Sequence, residues 1–124
     1  EHEGCLIAQG ALPGFGYSTG EIEIICGMIM ATKIPQSPQN LLEEIICDAD
    51  LDYLGRPDFY PIGGTLYEEL KNYHLIGDEK AWNHLQVNFL SAHHFYTHTN
   101  RALREPVKQG YLEQLRVLVA GYGV

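Results

Sequence analysis

The chain has 124 residues, 45% of them apolar, which is enough for one hydrophobic core and excludes a disordered segment. Its formal net charge of −8 opposes phosphate backbones, so nucleic acid and anionic membrane are excluded as partners. The longest nearly apolar run, Ile24 to Ala31, is far too short to cross a bilayer.

The opening "EHEGC" lacks the basic and apolar regions of a signal peptide. It also lacks an initiating Met, so the sequence reads as a processed product or a piece of something longer. Cys5, Cys26 and Cys47 are odd in number, far apart, and form no C-x-x-C pair. Each falls among apolar residues at helical spacing, as reduced, buried thiols of a cytoplasmic protein do.

The chain reads as helix after helix, with no alternating strand of convincing length. The first helix is under way at His2 and runs to about Leu12, where Pro13, Gly14 and Gly16 break it. Ser18 and Glu21 form a capping box for the second, whose buried stripe is Ile22, Ile25, Cys26 and Ile29. The same stripe continues to Thr32 and Lys33, so Lys33 faces inward or snorkels along the rim. "IPQSPQ" is a loop. Ser37, with Pro38 behind it, predicts a third helix to about Leu54, with Leu42, Ile45, Ile46, Ala49, Tyr53 and Leu54 on one face and Gly55 as terminator.

"RPDFYPIGG" reads as an irregular turn, followed by a short helix over about Thr65 to Tyr73. Asp78 caps a long helix carrying Trp82, Leu85, Phe89 and Leu90, which continues with a bend toward Arg104. Pro106 starts a last amphipathic helix with Tyr111, Leu112, Leu115, Leu118 and Val119 inside.

The chemistry concentrates in "EEIICDADLDYLGR", Glu43 to Arg56. On a helical wheel Asp48 shares a solvated edge with Glu44 and Asp52, whereas Asp50 shares the face of Ile46, Cys47, Tyr53 and Leu54. An ionised carboxylate on an apolar face must be paired, protonated or bound to a cation. A hydrogen bond to backbone or tyrosine, a salt bridge and a metal all satisfy that demand. Lys33 is placed either to neutralise Asp50 or to hold an anionic substrate. His2 lies one turn before Cys5 and Leu6, where a histidine is either structural or a ligand. Arg56 follows the helix break and binds phosphate or caps carbonyls. His94 and His98 stand at i, i+4, a spacing that can chelate a metal on one helix face, but no carboxylate accompanies them and surface histidines are the simpler reading. No P-loop and no nucleophile motif is present.

Two blocks, "HEGCLIAQGALPGFGYSTGEIEIICGMIMATK" and "LLEEIICDADLDYLGRPDF", resemble the second half of an HD domain, the metal-dependent phosphohydrolase superfamily. The resemblance runs from His2 to about Phe59 and is strongest to a bacterial branch with "HE", "ATK" and "DADLDYLGR" blocks. It implies a partial HD-like bundle of about six helices, with residues 1–60 as the C-terminal part of the domain and 61–124 as a helical extension. It implies a divalent metal (Mn, Fe, Ni, Co, Zn or Mg) held by an early His, a consecutive His-Asp pair and a late Asp. Asp50 takes the place of that late Asp. His2 takes the place of a histidine that binds a second metal or lies near the substrate, and Lys33 stands where some relatives carry a further His. A single metal, with Lys33 and Arg56 toward substrate phosphate, is therefore implied.

The chain departs from the pattern in having no His-Asp pair. The three other ligands are accordingly expected upstream of Glu1, and this chain by itself is expected to be inactive. The expected activity is hydrolysis of a small phosphate ester or nucleotide by the longer protein. A helical regulatory or dimerisation module of HD-like fold, acting without catalysis as a homodimer, is the competing expectation.

Overall fold

The computed structural model describes residues 1–123, and among these no strand occurs. Seven α-helices and three short 3-10 segments make up the described residues' regular structure, matching the all-α architecture expected from the helical periodicity. They form two units, Glu1–Leu51 and Asp52–Val124, so the "DADLDYLGR" block is divided between them.

The first unit begins with α1 (His2–Ala11), whose last turn tightens into a 3-10 segment over Leu12–Phe15. Gly16 stops it in the left-handed region at φ 88°, which a residue with a Cβ adopts only with strain. Helix α2 (Thr19–Ala31) starts on the capping box: Ser18 Oγ accepts from Glu21 N at 3.1 Å, and Ser18 N donates to Glu21 Oε1 at 3.0 Å.

Helices α1 and α2 are antiparallel. Cys5 Sγ lies 3.5 Å from the carbonyl oxygen of Cys26, and a Cβ on Gly4 would sit 3.4 Å from Ile29. A Cβ at Gly4 would therefore make no more than ordinary van der Waals contact with α2. Thr32 then closes α2 by donating to the Ile29 carbonyl at 2.7 Å.

Residues 32–40 double back along α2 instead of leading away from it. Ser37 N donates to Ala31 O at 3.0 Å, and Gln36 Nε2 reaches the Cys47 carbonyl at 3.1 Å. Helix α3 (Leu41–Asp50) starts one turn later than Ser37 and Pro38 suggested, because Asn40 provides the cap, its Oδ1 accepting from Glu43 N at 3.0 Å. Cys47 Sγ donates to Ala31 O at 3.3 Å, and Glu43 lies against Gly27, where a Cβ would be 3.1 Å from its carboxylate. Contacts 27–43 and 31–47 advance together, so α2 and α3 run in the same direction.

The third helix ends at Asp50, four residues short of the expected Leu54. Leu51 leaves helical geometry (φ −111°, ψ 20°), and a 3-10 segment over Asp52–Gly55 follows. The physical reason lies in the charges. Asp48, Asp50 and Asp52 crowd the end at which the helix dipole is negative, with no basic residue in the last turn.

In the second unit the expected turn "RPDFYPIGG" is helical: α4 spans Phe59–Asn72. Pro61 sits in its first turn, where its missing N–H is not needed. Helix α5 (Glu79–Ala92) is capped by Asp78, whose Oδ1 accepts from Ala81 N at 2.8 Å. It does not continue to Arg104. His93 turns extended (ψ 142°), and α6 (His98–Leu103) starts afresh on a Thr97 cap. Helix α7 (Glu105–Ala120) has Pro106 in its first turn and buries Leu112 and Leu115.

Two devices organise this unit. Phe59 stacks on Tyr111 with ring centroids 4.5 Å apart, and the Tyr111 hydroxyl donates to the Arg56 carbonyl at 2.8 Å. Asp52 accepts from Arg104 Nε at 3.0 Å and from Asn100 at 3.1 Å. Gly55 passes so close to the Arg104 backbone that a Cβ there would fall inside van der Waals contact.

Candidate functional site

The register of the first unit decides which of its ends meet. Because α1 is antiparallel to α2 while α3 is parallel to it, the start of α1 and the ends of α2 and α3 gather at one pole. His2 and Glu1, Lys33, and Asp50 occupy those three ends. The pairings Gly4–Ile29 and Ala31–Cys47 each stop about one turn short of them.

Asp50 differs from its sequence expectation in burial. It is exposed, and the buried carboxylate of α3 is Asp48, only 3% accessible. The wheel that placed Asp50 inward relied on Tyr53 and Leu54 extending the stripe, and the helix stops before either. The inner face of α3 runs instead through Cys47, Asp48 and then Leu51. The apolar side chains Leu41, Leu42 and Ile45 lie outward.

The Asp50 carboxyl is nevertheless not in the electrostatic surroundings of a free surface residue. Partial desolvation holds its pKa above the ordinary carboxylate value, and the negative charge of Glu1 raises it further. Two like charges from α1 and α3 thus face one another at the pole. Among the described residues no ion pair joins Lys33 to Asp50, so the expected neutralisation by Lys33 does not occur.

Of the two placements expected for Lys33, inward or along the rim, the structure shows an exposed side chain, because α2 ends at Ala31 and the chain turns there. It stands at the rim of an open groove of about 460 Å³ shared with Met30, Ile34 and Glu43. His2, the first residue of α1, is exposed as well.

Arg56 belongs to the second unit. Its guanidinium forms a fork with Asp58, with Nε and Nη2 at 2.9 and 2.7 Å from the two carboxylate oxygens, and lies 3.5 Å from Asp52. Its side-chain hydrogen bonds among the described residues go to carboxylate and not to a carbonyl. The hydrogen bonds from Arg56 hold the Asp58 carboxyl below its ordinary pKa.

His94 lies in the extended stretch after α5 and His98 is the first residue of α6, so the pair does not share successive turns of one helix. Among the described residues, no group of three or more His, Cys, Asp or Glu is arranged to hold a metal. The pole brings the charges of Asp50 and Glu1 within reach of one another, with His2 next to Glu1 in sequence, without forming such a group.

Sequence reasoning missed one buried site altogether. Lys108 has 0% exposure. Its ammonium donates to the His93 carbonyl at 2.7 Å, lies 3.0 Å from Glu105, and sits 5.6 Å from the centre of the Phe95 ring. Burial tends to raise the Glu105 pKa, but hydrogen bonds from Gln109 and Lys108 outweigh it and leave the group lowered. The i, i+3 spacing of Glu105 and Lys108 was visible. The carbonyl supplied by the break after α5 was not.

No protein-family model, curated protein or solved structure matches this chain. No helix of the described residues is long and apolar enough to cross a membrane.

Proposed function

We propose that the chain is the C-terminal portion of an HD-like metal-dependent phosphohydrolase, and that Asp50 is one ligand of its divalent ion. The observation that carries this reading is the convergence of three helix ends, which brings His2, Lys33 and Asp50 to one pole of the first unit. Residues upstream of Glu1, including a His-Asp pair, complete the coordination in this account. The metal, one of Mn, Fe, Ni, Co, Zn or Mg, supplies a Lewis acid for a phosphoryl oxygen and a hydroxide from bound water.

The roles of this chain's own residues follow from charge and position. Asp50 contributes an oxygen ligand, and relief of its repulsion with Glu1 favours the cation. His2 lies beside the metal or the substrate. Lys33, exposed and without a carboxylate partner among the described residues, is available to a phosphate oxygen. Arg56, expected from the resemblance to face phosphate, is in the second unit with its guanidinium held by Asp58. A small phosphoester or nucleotide is the proposed substrate. A cytoplasmic location suits the three free cysteines.

A phosphatase screen of the polypeptide extended upstream of Glu1, with several divalent metals, tests the reading. Lys33→Ala is expected to lower turnover about 100-fold, the usual loss on removing one charge-stabilising group. Wild-type turnover in that variant would remove Lys33 from the site.

One observation favours a second reading, a non-catalytic dimerisation module. Leu41, Leu42 and Ile45 form an exposed apolar stripe on α3, at 65, 51 and 48% accessibility. In the first reading upstream helices cover that stripe, and in the second another copy of the chain does. Light scattering on the chain separates them: a dimer dissociated by Ile45→Glu supports the module, and a monomer rejects it.

A further inference from the structure

The three cysteines are not equivalent. Cys5 and Cys26 meet across the α1–α2 crossing, each sulfur on the other's backbone: Cys5 Sγ lies 3.5 Å from Cys26 O, and Cys26 Sγ lies 3.8 Å from Cys5 O. Gly4 packs on α2 beside them, where a Cβ would sit 3.4 Å from Ile29. The two thiols also act on one another directly, side chain to side chain, which makes them the pair of the three able to meet. Cys47 is set apart. It has 0% exposure, and its thiol donates to Ala31 O at 3.3 Å.

Access also separates them. Cys5 is buried, whereas Cys26 is half-buried and opens onto a groove of about 380 Å³ lined by Gln9, Pro13, Thr19, Ile22 and Glu23. A small oxidant can reach Cys26 first, and the thiol behind it is Cys5.

We propose that Cys5 and Cys26 are a redox-modification site, a dithiol that a peroxide closes into a disulfide joining α1 to α2. In the first step Cys26 Sγ attacks one peroxide oxygen. The O–O bond breaks, hydroxide leaves and takes up a proton as water, and Cys26 becomes a sulfenic acid. Cys5 Sγ then attacks Cys26 Sγ. The S–O bond breaks, and the departing hydroxide takes the Cys5 proton as a second water. Two electrons pass from the two thiols to the peroxide.

Burial, then the hydrogen bond with Cys5, holds the Cys26 pKa above the ordinary thiol value, so closure accelerates at alkaline pH. Cys47 is pushed up to about 11, chiefly by burial with repulsion from Asp48 next, and stays a thiol. The link would clamp the first turn of α1, which carries His2. The inference rests on these contacts and not on the catalytic reading above.

The test treats the reduced full chain with hydrogen peroxide at mildly alkaline pH, followed by alkylation under denaturing conditions and intact-mass measurement. The expected product has lost two hydrogens and takes up label on one cysteine only. Cleavage after glutamate, without reductant, should yield Gly4–Glu21 joined to Ile24–Glu43. Cys47→Ser should retain the link. Cys5→Ser, checked for helix content, should abolish it, leaving Cys26 as sulfenic or sulfinic acid. Three labelled cysteines after oxidation, a link through Cys47, or over-oxidation of wild-type Cys26 without a link would overturn the proposal.

Discussion

A lysine with no exposed surface must have its charge answered on the spot, because a buried ammonium without partners costs several kcal/mol. Lys108 has that answer in the His93 carbonyl and the Glu105 carboxylate. Removing the cation leaves Glu105 behind, so Lys108→Ala is expected to cost about 3–5 kcal/mol, the range for breaking a buried pair from one side. Lys108→Met combined with Glu105→Gln should recover a large part of that loss. Urea unfolding of the three proteins measures it.

Asp50 calls for the opposite sign. Its folded pKa is raised, so the folded state holds the proton more tightly than the unfolded chain, and stability falls as pH rises from 3.8 through the raised value. Asp50→Asn should therefore be at least as stable as the parent at about pH 7, with the difference vanishing at about pH 3. Denaturation midpoints at the two pH values give the comparison. A variant clearly less stable at neutral pH would mean that the ionised carboxylate is held by a favourable partner.

At the level of elements, local chemistry was legible and the ends of long-range support were not. The Ser18–Glu21 box, the Asp78 cap and Pro106 in the first turn of α7 all act within four residues, and each appears where its residue types require. The end of α3 depends on more than its own periodicity. A helical wheel carried past Asp50 interchanged the surroundings of Asp48 and Asp50, since it took for granted a helix that the crowded acidic terminus does not sustain. Helix α4 was read too short because Pro61 and two glycines look like a turn, whereas a proline in a first turn is neutral and Phe59 anchors the segment on Tyr111. The burial of Lys108 needed a carbonyl fifteen residues away, which no local spacing reveals.

Gly55 tests the same level. The residue reads from sequence as a helix terminator, but its structural demand is the passage of Arg104. Gly55→Ala should cost about 1–3 kcal/mol as overpacking against backbone that cannot move aside. The same change at Gly64, which has open space around it, should cost far less. Thermal unfolding of the pair distinguishes a close-approach glycine from a merely flexible one.

For the whole molecule, the candidate site depends on direction more than on composition. An antiparallel α1–α2 pair alone places His2 near Lys33. Only the loop that doubles back along α2, and the parallel α3 it makes possible, brings Asp50 to the same pole. These residues were legible as candidates from the carboxylate-rich block and the family resemblance, while the gathering of their helix ends at one pole depends on a helix direction that no motif encodes. In the reading proposed above, further helices would cover the outward apolar stripe of α3, and a cation would relieve the like charges of Glu1 and Asp50.

Elemental analysis of the polypeptide extended upstream of Glu1, purified as wild type and as Asp50→Asn at matched helix content, addresses that assignment most directly. The account predicts a bound divalent ion in the wild type, and its loss together with phosphatase turnover in the variant. Equal metal content and equal turnover in the two proteins would contradict it.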